Sequence, residues 1–131
     1  MAVLKKYNTS TSAWEAVAVG SVGPAGATYN STTTDATTAR TLALTDADSL
    51  ILFSSTSAIT VTVPTYASVA IGVGQGISLV AYGGGQITVA SAVGVTLRYT
   101  NTLRSRTQYS ILTLIKIDTN EWLVTGDTAA Y

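Results

Sequence analysis

The segment AITVTVP, residues 58–64, alternates Ile59, Val61 and Val63 against Thr60 and Thr62. Strict period two in β-branched residues marks a half-buried strand, because successive side chains leave opposite faces of a sheet. Pro64 lacks the N–H that a ladder needs, so the strand ends there or lies on an edge. No segment offers a comparable helical pattern. Charged residues are only 11% of the chain, leaving little with which to build solvated helices, and Thr, Ser, Val and Gly are abundant.

The glycine-rich stretch GVGQGISLVAYGGGQITVA, residues 72–90, sharpens the same reading. A dinucleotide fingerprint needs its glycines to open a helix, and a P-loop needs G-K-[ST] after them. Here ISLVAY and QITVASA follow, both short and β-rich, so the glycines read as hairpin turns rather than a phosphate cradle. Upstream, RTLALT and SLILFSS flank DAD, which suggests two strands about a tight turn. TYASVAIG suggests a single turn. Downstream, VGVTLRY is a strand and NTLRSR a polar connector. TQYSILTLIKID, read as alternating through Tyr109, Ile111 or Leu112, then Leu114 and Ile115, is the longest strand candidate, and DTNE turns it into WLVTGD. The expected fold is all-β: a compact antiparallel sandwich or small barrel of about eight to ten short strands. β-Helical stacking ranks below both, because no fixed repeat period is visible.

The N-terminal part differs. AVLKKYN and AWEAVAVG flank the polar TSTS and read as a hairpin. The following GSVGPAGATYNSTTTDATTA has no apolar periodicity and reads as an extended arm. Its GPAGAT is two G-x-y triplets, too few for a triple helix. The chain therefore divides into a hairpin and arm over 1–39 and a β domain over 40–131.

Little in the composition supports catalysis. There is no histidine and no cysteine, which excludes a Ser-His-Asp triad, a cysteine nucleophile and thiolate zinc sites. Among seven carboxylates, Asp46 and Asp48 lie two apart with Asp35 upstream, a pair that could serve a glycosidase or calcium. The simpler reading of TDADS is a turn held by Asp side chains. No cofactor is expected. Zero net charge gives no electrostatic case for nucleic acid, and no apolar run approaches the length of a membrane span. MAVLKKYNTS lacks a signal-peptide core, so synthesis in the cytoplasm of the cell is expected. Trp14 and Trp122 could stack on sugars, but in alternating strands they read as core or interface residues. Arg98, Arg104 and Arg106 form a local basic cluster, either an inter-subunit site or a solvated loop.

From about Ala58 to Asp127 the ordered set AITVTVP, VAIGVGQGISLVAYGGGQITVASAVGVTL and LRSRTQYSILTLIKIDTNEWLVTGD resembles a small β domain of tailed-bacteriophage structural proteins. The opening VLKKYNTSTSAWEAVAVGSVGPAGAT is similar to the start of phage minor tail and virion surface proteins. This chain departs from longer relatives in keeping only two triplets and no shaft. The resemblance implies a non-enzymatic protein on the virion exterior, assembled as a homotrimer. A capsid decoration protein held by its arm to the major capsid protein fits best. The alternative is a tail fibre or minor tail protein that contacts tail proteins and a host surface glycan. Lys5, Lys6, Trp14, Pro24, Arg104 and Arg106 are the candidate contacts with a shell or another subunit.

Overall fold

A computed structural model describes residues 29–130, together with the backbone of Lys5–Asn8 and Ala13–Ala16. Those two segments are strands β1 and β2, an antiparallel pair forming a sheet of its own. Then follow β3 (Ser31–Asp35), β4 (Ala39–Thr41), β5 (Ser49–Phe53), β6 (Ile59–Val63), β7 (Gly76–Val80), β8 (Ile87–Ser91), β9 (Thr96–Arg98), β10 (Ile111–Asp118) and β11 (Glu121–Gly126). One 3-10 turn, Leu44–Asp46, interrupts them. The all-β expectation holds.

The arrangement is a β-solenoid of three turns, not a sandwich or a barrel. Strands β3, β5 and β7 pair in parallel in one sheet, while β4, β6 and β8 pair in parallel in another. Each coil thus contributes one strand to each sheet. RTLALT and SLILFSS are consecutive walls of the coil, not arms of a hairpin, since β4 and β5 belong to different sheets. The glycine-rich turns are likewise not hairpin turns: Gly72 and Gly74 lead into β7, and Gly83–Gly85 joins β7 to β8 across a coil corner. Gly83 and Gly85 are required there for closeness: a Cβ on Gly83 would strike the Ser54 carbonyl and one on Gly85 the Ser57 carbonyl, in the coil below. TYASVAIG does form a single turn, closed by Val69 N–H to the Thr65 carbonyl at 3.0 Å.

Alternation in each wall builds the core. In one sheet Ile51 stacks on Leu79 and Leu79 on Leu112; in the other Ile59 stacks on Ile87 and Val61 on Val89. All of these are buried. The last coil is closed by an antiparallel hairpin: β10 pairs with β7, β11 with β10, and β9 with β11 in parallel. Trp122 and Val124 from β11 complete the apolar cluster. TQYSILTLIKID does hold the longest strand, but it begins at Ile111 and leaves Tyr109 in the preceding turn. The buried row is Leu112, Leu114 and Lys116, whereas Tyr109 and Ile111 are exposed.

The first coil is different in kind. Residues 31–35, read with the arm from sequence, form β3, so the sheet begins before residue 40. The pairing puts Arg40 directly over Val61, where an aliphatic would continue the Val61–Val89 ladder. Its guanidinium instead bridges Asp35 Oδ2 at 2.8 Å and Asp46 Oδ1 at 2.5 Å. These ions lie across the end of the solenoid. A charged end discourages other strands from stacking on the core.

Candidate functional site

Lys5, Lys6 and Trp14 lie in the β1–β2 hairpin, where Lys5 pairs with Ala16, Lys6 with Glu15 and Tyr7 with Trp14. Pro24 lies outside the described residues. A two-stranded hairpin is marginal by itself in water and gains stability by lying on another surface. Its register places two aromatic residues opposite one another, and lysine opposite glutamate.

Arg104 and Arg106 come together with the C-terminal segment. The Arg104 carbonyl accepts from Ala129 N–H at 2.8 Å, and its guanidinium donates to the Ala130 carbonyl at 3.5 Å. Arg106 forks onto both oxygens of Asp127, at 2.7 and 3.0 Å, and the Ser110 hydroxyl donates to the same carboxylate at 2.7 Å. The Arg106 and Ser110 hydrogen bonds hold the Asp127 carboxyl below the usual aspartate range. Arg98 pairs with Glu121 at 2.9 Å. The cluster read from sequence is therefore three separate anchors, of which Arg98 and Arg106 are ion-paired.

The acids that could have formed a catalytic or calcium pair are also engaged. Asp46 takes Arg40 and the Ala43 N–H, while Asp48 accepts from Gly76 N–H at 3.1 Å and Gln75 Nε2 at 3.2 Å. Burial alone would raise the Asp35 pKa, but hydrogen bonds from Thr37 and Arg40 lower it below the ordinary value. Asp35, Arg40 and Asp46 form a structural lid, and Asp48 is a turn residue, here with φ +56°.

Two features escape sequence reasoning. Lys116 continues the inward row after Leu112 and Leu114, and is buried. Its ammonium donates to the Ile71 carbonyl and lies 4.3 Å from the Tyr66 ring centroid and 5.9 Å from that of Trp122. Burial lowers its pKa. Trp122 is thereby a core residue and not a sugar platform.

The second feature is where the corner that follows β7 meets the turn that precedes β10. Tyr82 and Tyr109 meet edge to face, with ring centroids 5.9 Å apart, and are 52% and 65% exposed. Gln108 Nε2 donates to the Tyr82 carbonyl at 3.0 Å and ties the two turns together. Tyr109 has φ +67°. In sequence the pair is 27 residues apart; only the placement of both tyrosines beside turn residues (YGGG and TQYS) hinted at it.

Comparison with family models, curated proteins and solved structures found no match to this chain. The likeness to phage surface proteins rests on the motifs quoted from the sequence.

Proposed function

We propose that this chain is a non-enzymatic structural protein of the exterior of a tailed-phage virion. In this reading it is a capsid decoration protein, docked by its N-terminal hairpin and arm with the solenoid projecting. The observation that carries the reading is the separate two-stranded sheet of β1 and β2, ahead of a self-closed solenoid. Such a hairpin gains most from a surface supplied by a partner. Multivalent repetition over a lattice would offset the entropic cost of fixing an attachment arm, about 1–2 kcal/mol for each residue fixed.

Self-association as a homotrimer belongs to the same proposal. Its support is the outer face of the six-stranded sheet, where Ile111, Ile117 and Leu123 are substantially exposed. Scattered exposed residues are ordinary, whereas several aliphatics on one sheet face favour a partner. Light scattering of the purified chain at three times the monomer mass would support this, and a monomer at high concentration would remove it.

The test is reconstitution. Particles lacking the chain should lose resistance to heat or osmotic shock. Added full-length chain should restore it, and a chain beginning at Tyr29 should not. Equal rescue by both would overturn attachment through the arm.

A second reading is a tail protein that contacts the host surface. The exposed Tyr82–Tyr109 pair favours it.

A further inference from the structure

Residues 107–110 form a four-residue turn, closed by Ser110 N–H to the Thr107 carbonyl at 3.1 Å. Tyr109 is its third residue, with φ in the left-handed region. Turns place glycine or asparagine there, because a bulky side chain crowds the backbone. Backbone bonds enforce the conformation: Tyr109 N–H donates to the Ala81 carbonyl at 2.8 Å, and Ala81 N–H to the Ser110 carbonyl at 3.0 Å. None of these bonds needs the phenol ring, and the ring is mostly in solvent. Backbone bonds thus account for the conformation at this position, and the contact the tyrosine itself makes is with the Tyr82 ring. An outlier of this kind, kept at an exposed site, is where strain accompanies function.

We propose that Tyr82 and Tyr109 form a binding site for a neutral oligosaccharide. Tyrosine offers a rigid amphipathic surface at low entropic cost, suited to the apolar face of a sugar ring. Around the pair lie amides and hydroxyls: Gln108, the Ser54–Ser57 corner packed beneath Gly83 and Gly85, and Thr107. Segments 54–58, 81–86 and 107–110 contain no acid, lysine or arginine. The neighbouring Arg106 is neutralised by Asp127. A ligand with hydroxyls and no charge matches this chemistry; an acidic polymer or a charged peptide would find no counter-ion.

The inference deepens the host-contact reading. Its test uses purified full-length chain, so failure to bind sugar leaves attachment to the virion standing. Neutral pentasaccharides of glucose and of N-acetylglucosamine, with a hyaluronan fragment as acidic comparison, are titrated while the tyrosine ring resonances are followed by NMR. A neutral sugar should shift the two rings saturably at about millimolar concentration. Tyr109→Asn, which relieves the turn, should keep or raise the melting temperature while weakening binding about tenfold or more. Tyr82→Ser should weaken it comparably. Absence of saturable shifts with every neutral sugar, saturation by the acidic fragment alone, or undiminished affinity in both variants would overturn the site.

Discussion

The first coil of the solenoid ends on ions, and the last ends on a hairpin. At the first, Asp35, Arg40 and Asp46 lie across a ladder that continues below as Val61 and Val89. At the last, β10 and β11 lay Leu112, Leu114, Trp122 and Val124 against it. Both solutions keep the apolar stack from water. The hairpin adds core, whereas the ions mainly prevent further strands from adding. The C-terminal end should therefore hold most of the stability and the N-terminal end most of the resistance to stacking.

The largest effect should come from breaking the hairpin cap. Trp122→Ala removes the largest buried side chain and should cost about 3–5 kcal/mol in denaturant unfolding. A loss near zero would mean that the cap is not part of the cooperative core. Arg40→Val should cost somewhat less, about 3 kcal/mol, since the buried Asp35 and Asp46 lose their counter-ion while the aliphatic ladder lengthens. The same variant should increase end-to-end association, visible by sedimentation. An equally monodisperse variant would contradict the role given to the lid.

Acid pH probes the same end more gently. The Asp35 pKa is below its ordinary value. Its contribution is therefore present above the unfolded-state pKa and lost as pH falls through the lower folded value. Stability should drop below about pH 4, and Asp35→Asn should flatten part of that drop. At the opposite end Lys116 works in reverse. Its folded pKa is lowered, so the unfolded chain binds more protons between that value and the ordinary lysine pKa of 10.5, and stability should rise with pH through that window. Lys116→Met keeps the volume, removes this rise, and should change stability at neutral pH by only about 1 kcal/mol.

The same contrast explains what the sequence could disclose. Ile59–Val63 is legible because its inward positions are apolar and the residues between them are threonines. Ile111–Asp118 is legible by its length and β-branched content, since its inward row runs Leu112, Leu114, Lys116 and three of its outward residues are isoleucines. β3 is not, because at the lidded end its residues are Ser, Thr and Asp. The solenoid itself is hidden by unequal coils. Ser31 pairs with Ser49 after 18 residues, but Ile59 pairs with Ile87 after 28. The longer coil carries the 64–75 segment, whose hydrogen bonds to Lys116 hold it against the hairpin cap. A fixed period never forms, and strict alternation alone cannot distinguish a parallel coil wall from a sandwich strand. At the candidate sugar site the tyrosines are separated in sequence and joined by a coil corner, which no local pattern records.

The most direct measurement of the functional account is the copy number of this chain in separated heads and tails of intact particles, by quantitative gel. The account expects hundreds of copies with the heads. A handful confined to the tails would contradict it, and would make the chain a fibre or tip component whose tyrosines face the host.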